Sequence, residues 1–117
     1  MTFPLEELPS AIRDRASAWA ALGLRLRQRP VHSNHGKAVT SVEFESAEWL
    51  VEVKIWNSGE ADLCTVRLTN DRVVNKTYGL ADLEDLNALL DEMVRLLAQD
   101  ELSPAAFVCQ WPGTAHR

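Results

Sequence analysis

The sequence predicts an α+β fold: an N-terminal helix, a four-stranded antiparallel meander sheet and a C-terminal amphipathic helix packed on that sheet. Three observations carry this. Near the start, apolar residues recur at helical spacing. Through the middle, apolar and polar residues alternate between regularly placed turn residues. From Asp82 onward the helical spacing returns. With 117 residues, 46% hydrophobic and 25% charged, the chain suits a single domain, 1–117, with a real core, and lies far from the composition of disorder.

The first helix is read from Leu5 to about Leu22, where Ile12, Ala16 and Trp19 fall at i, i+4 and i+7 on one face. Gly23 is placed as the left-handed residue that ends it. Leu24 and Leu26 then alternate with Arg25, Arg27 and Arg29, which suggests an extended stretch stopped by Pro30, and His32 to Gly36 reads as a loop. The meander registers can be set on paper. A tip at Ser46-Ala47 places Phe44 opposite Trp49, Val42 opposite Val51 and Thr40 opposite Val53. A three-residue loop, Asn57-Ser58-Gly59, places Lys54 opposite Asp62 as a cross-strand ion pair, with Ile55, Val53 and Val51 facing Ala61, Leu63 and Thr65. A third turn at Asn70-Asp71 returns RVVNKTYG as the fourth strand. Asp82 has the form of an N-cap with Asp85 three residues on. Leu83, Leu86, Leu90, Met93 and Leu97 form the stripe of a helix lying on the sheet. Ser103-Pro104 suggests a helical turn at the start of AAFVCQW, before a tail expected to fray.

Charge is unevenly spread along a chain of net −5. Residues 1–37 hold six basic residues against three acidic, 38–79 four against seven, and 80–117 two against seven. This balance disfavours nucleic-acid binding, which needs a continuous basic face, and fits a partner with a basic surface. No window approaches the ~18 apolar residues of a membrane span, and MTFPLEELPS lacks the features of a signal peptide, so no membrane role and a cytoplasmic location are expected. Cys64 and Cys109 read as small buried hydrophobes.

Familiar catalytic patterns are missing. There is no GxSxG, P-loop, GxGxxG, HExxH or EF-hand motif, and each absence removes a common catalytic or nucleotide-binding mechanism. His32 and His35 lack a third ligand, so no metal is expected. A small enzyme built on the carboxylates and His35 would need a cleft that separates their pKa values, and nothing in the sequence converges on one. Trp56 remains. The registers turn it to the polar face beside Glu52, Lys54, Glu60 and Asp62, where two readings stay open: packing over the Lys54 stem or under the N-terminal segment, or service as an aromatic anchor ringed by charge. The acids Asp82, Glu84, Asp85, Asp91 and Glu92 likewise divide between complementing a helix dipole and forming an acidic docking surface.

The order of helix, meander and acidic helix, with the words VEVKIWNSGEADL and TYGLADLEDLNALLDEMVRLL, resembles the TriTu family of immunity proteins, over residues 38–98. The resemblance implies a bacterial cytoplasmic protein without catalysis or cofactor that binds and neutralises a cognate toxin domain, an ADP-ribosyltransferase of the Rhs type, as a stoichiometric complex blocking its active site. Given that, the expected partner-binding residues are Trp56 as anchor with Asn57, Glu60 and Asp62 at the hairpin, and Asp82, Glu84 and Asp85 as a second acidic patch. The competing expectation is an acidic secretion or effector chaperone that dimerises and binds a partner segment through an apolar groove.

Overall fold

Six strands form one antiparallel sheet in chain order: β1 (Arg25–Asn34), β2 (Lys37–Glu45), β3 (Trp49–Trp56), β4 (Glu60–Arg67), β5 (Arg72–Gly79) and β6 (Phe107–Gln110). The computed structural model describes residues 2–110. Before the sheet come a 3₁₀ turn (Leu5–Glu7) and two short helices, α1 (Leu8–Arg13) and α2 (Ala16–Ala21). The long helix α3 (Leu83–Gln99) lies between β5 and β6. The α+β class and the antiparallel sheet agree with expectation, whereas the strand count, the single N-terminal helix and the final position of the amphipathic helix do not.

Each departure has a local cause. β1 continues through Pro30 because it is an outer strand, where the missing N–H leaves no ladder bond unmade, and the register shifts between Arg29 and His32 to absorb the ring. The turn therefore shrinks to His35-Gly36, and His32 belongs to the strand. The first helix breaks at Asp14-Arg15 because the Trp19 indole N–H donates to the Ile12 carbonyl at 2.8 Å, which a continuous helix would offer to Ala16. Ala16 is exposed, while Ile12 and Trp19 are buried. After Ser103-Pro104 the chain turns and enters β6 rather than a helix. The tail expected to fray lies outside the described residues.

The β2–β3 register is shifted by two, with Phe44 opposite Val51, Val42 opposite Val53 and Thr40 opposite Ile55. The tip is the four-residue turn Ser46–Trp49, fastened by the Ser46 hydroxyl accepting from the N–H groups of Glu48 and Trp49 at 3.1 and 3.0 Å. A shift of two preserves side-chain parity, so the faces are as expected. The β3–β4 register holds at every predicted pair, and Gly59 takes its positive φ of 93°. The pair Lys54–Asp62 is opposite in register, but no ion pair joins it. Lys54 Nζ instead lies 4.0 Å from a Glu52 carboxylate oxygen and 5.9 Å from the centre of the Trp56 ring.

All the helices pack on one face. Val42, Phe44, Trp49, Val51, Val53, Ile55, Ala61 and Leu63 meet Leu86, Leu89, Leu90, Met93, Leu96 and Leu97 of α3, and Leu8, Ile12 and Trp19 close the layer. Trp19 and Phe44 rings stand 4.9 Å apart and tilted. Leu83, expected on the α3 stripe, is instead exposed, and Leu89 and Leu96 take buried places. Arg15, at the helix break, donates to the side chain and carbonyl of Asn87 and pairs with Asp91 at 2.7 Å, joining the N-terminal helices to α3.

Candidate functional site

The stretch from Trp56 to Glu60 is held on three sides. Gly59 N–H closes the turn onto the Trp56 carbonyl at 2.9 Å, Asn57 N–H donates to Ala38 of β2 at 2.9 Å, and the Asn57 carbonyl accepts from Phe3 at 2.7 Å. Leu80 N–H donates to the Gly59 carbonyl at 2.7 Å. A β-carbon at Gly59 would lie 2.4 Å from the Leu80 carbonyl oxygen, so this approach requires glycine twice over, for its conformation and for its size. Asn57 is thus placed mainly by its backbone.

The Gly59–Leu80 contact sets the start of α3 beside the hairpin. Asp82 caps that helix, its carboxylate accepting from Asp85 N–H at 3.0 Å, while the Asp85 carboxylate accepts from Ala81 N–H at 2.8 Å. Two of the three acids predicted as a docking patch therefore have structural work at the cap, and Glu84 is exposed. Glu60 is exposed and accepts from Lys37 Nζ at 3.2 Å. This end of the sheet gathers Glu60, Asp82, Glu84 and Asp85.

Trp56 and Asp62 lie on the other sheet face, which no helix among the described residues covers. Cross-strand registers arrange that face in rows: Arg25, Glu45, Leu50, Val66, Val73 and Cys109; then Arg27, Glu43, Glu52, Cys64, Asn75 and Phe107. Lys54, Asp62 and Thr77 form a third, and Val39 with Trp56 a fourth. A groove of about 450 Å³ runs over the first two rows, between Arg25, Glu43, Glu45, Leu50, Glu52 and Val66. Trp56 is half-buried, with Lys54 over its ring, which matches the packing reading and leaves part of the ring accessible. Burial first, and then the charges of Glu52, Cys109 and Asp62, push the Cys64 thiol up from its ordinary value.

A polar cluster that sequence reasoning missed bridges β5 and α3. Lys76 Nζ lies 2.7 Å from Glu92 and 3.3 Å from the Ser103 hydroxyl, and Tyr78 donates to Glu92 at 3.0 Å. Burial pushes the Glu92 carboxyl up, but hydrogen bonds from Lys76, Ser103 and Tyr78, aided by the Lys76 charge, more than offset it and hold Glu92 below its ordinary value. Tyr78 is pushed well above the usual phenol range by burial and then by the Glu92 charge and hydrogen bond. These contacts tie β5 to α3 and to the chain that follows it, so the cluster acts as a brace. A second brace joins Arg67 and Arg72 to Asp100, the left-handed residue ending α3, with Arg67 also over the Trp49 ring. The Arg72 hydrogen bond leads in holding the Asp100 carboxyl below its ordinary value. In sequence the signal for both braces was only a long-range pairing of strand bases with helix acids, which no local pattern reveals.

Among the described residues no group of three or more His, Cys, Asp or Glu side chains is placed to hold a metal ion, and no helix is long and apolar enough to cross a membrane. No protein-family model matches the chain, and searches of curated proteins and of solved structures also give no match.

Proposed function

We propose that the chain is a cytoplasmic immunity protein, without catalysis or cofactor of its own, that binds a cognate toxin domain and blocks an ADP-ribosyltransferase active site. The observation that supports the reading is the junction at Gly59 and Leu80. It brings two acidic segments, separate in sequence, to one end of a braced sheet, with Glu60 and Glu84 exposed and Trp56 around the corner. A transferase pocket for the diphosphate of NAD is lined by cationic groups, and a rigid acidic surface competes for them without a large ordering cost. Trp56 supplies aromatic area, and Asn57, Asp62, Asp82 and Asp85 complete the contact set.

The test is co-expression with the toxin domain encoded immediately upstream of this gene. A 1:1 complex in which NAD consumption stops is the expected result. Glu60→Ala and Glu84→Ala should weaken the complex chiefly at low salt, by steering, and Trp56→Ala in all salts. No complex, with the chain alone forming a stable dimer, would replace this reading with the secretion or effector chaperone.

A further inference from the structure

β1 is an outer strand in which all ten residues are exposed. Its inner neighbour shows what chemistry it accepts. Arg25 stands opposite Glu45 and pairs with it at 2.7 Å, Arg27 stands opposite Glu43, and Arg29 pairs with Glu43 at 3.1 Å, while Leu26 stands opposite Phe44 on the other face. The segment LRLRQR is thus read by VEFE, acid against arginine and aromatic against leucine. Among the described residues no strand pairs with its outer side. Arg27 has no carboxylate at ion-pair distance among the described residues, Arg25 is 79% exposed at its side chain, and Leu26 is 38% exposed.

We infer that the outer edge of β1, over Arg25–Arg29, is a strand-addition site for an extended partner segment carrying acidic residues at alternate positions and apolar residues between them. Main-chain hydrogen bonds supply affinity in such pairing, and alternate side chains supply selection. An acidic series on the partner's side facing the open sheet face lies against Arg25, Arg27 and Arg29, and the intervening apolar series lies against Leu26. A second copy of this chain is a poor occupant: antiparallel pairing about Arg27 sets Arg25 against Arg29 and Arg27 against itself, which repels. The bulge between Arg29 and His32, with Pro30 inside it, ends the regular edge and limits the site to about five residues. This basic edge is distinct from the acidic end proposed for the toxin, so either assignment can fail alone.

The experiment is a titration of the full, isotope-labelled chain, followed by amide NMR, with a short acetylated peptide of alternating Glu and Val. Lys/Val alternation and a block arrangement of the same Glu and Val residues serve as controls. Saturable shifts centred on the amides of Arg25–Arg29 are expected for the alternating Glu peptide alone. Arg27→Glu, a change at an exposed position, should weaken it about tenfold and admit the Lys peptide. N-methylation of one alternate set of peptide amides should abolish binding, and of the other set should spare it. Equal binding of the Lys peptide, shifts elsewhere, indifference to N-methylation or no saturation at millimolar peptide would each overturn the inference.

Discussion

Gly59→Ala tests how far the hairpin and α3 depend on one close approach. Its φ of 93° lies beyond the narrow left-handed region that other residues tolerate, and holding alanine there costs about 1–3 kcal/mol. The added β-carbon would also stand 2.4 Å from the Leu80 carbonyl oxygen, a backbone atom that can retreat only by moving the chain before α3. That retreat stretches the 2.7 Å Leu80–Gly59 hydrogen bond, worth about 1 kcal/mol. Together these give a loss of about 2–4 kcal/mol, a large share of the roughly 5–15 kcal/mol that holds a domain folded. Gly36→Ala is the internal control: its φ is 81°, but its new β-carbon meets nothing within 4 Å, so backbone strain acts alone. Urea unfolding followed by circular dichroism would measure both, with unchanged m-values confirming a native-state effect. A Gly59→Ala loss no greater than that of Gly36→Ala would refute the steric argument.

Three further outcomes follow from the braces and the cap. The single tyrosine, Tyr78, should ionise well above the ordinary phenol range, which a pH titration of absorbance near 295 nm would show, and Tyr78→Phe should abolish the transition. Glu92 is held below its ordinary value, so its contribution is full above the unfolded carboxylate range and fades as pH falls through the folded pKa. Glu92→Gln should therefore cost about 2 kcal/mol at pH 7 and converge with the parent in acid, as read by urea midpoints across pH. Asp82→Ala removes the acceptor for Asp85 N–H and should cost about 1 kcal/mol in the same assay.

The elements with a strong local signature were legible. Gly23 and Gly59 adopt positive φ where turn chemistry asked for it, Asp82 caps its helix, and parity alone assigned Val51, Val53 and Ile55 to the core and Trp56 to the opposite face. What was not legible depended on contacts distant in sequence. Pro30 reads as a strand breaker until its strand is known to lie at an edge, and the helix break at Arg15 depends on the Trp19 indole and on Asn87 and Asp91 of α3. Lys54 was set against Asp62 by register, but a lysine stem has several partners within reach, and here it leans towards Glu52 and Trp56. Of the candidate site, the hairpin and the helix start were found as separate patches. The bond between Leu80 and Gly59, next to the Glu60–Gly79 pair of the β4–β5 ladder, joins them.

The strand order repeats the chain order from β1 to β6, which has a kinetic meaning. The first four pairings join neighbours across short turns, so each loop closed is small, and the sheet can zip from any hairpin without waiting for distant segments. The sixth strand is different: β5 ends at Gly79 and β6 begins at Phe107, with α3 between them. Closing this longer loop costs more chain entropy than closing any of the four turns. On that ground β6 is expected to pair last, onto a sheet whose other five strands already follow one another along the chain.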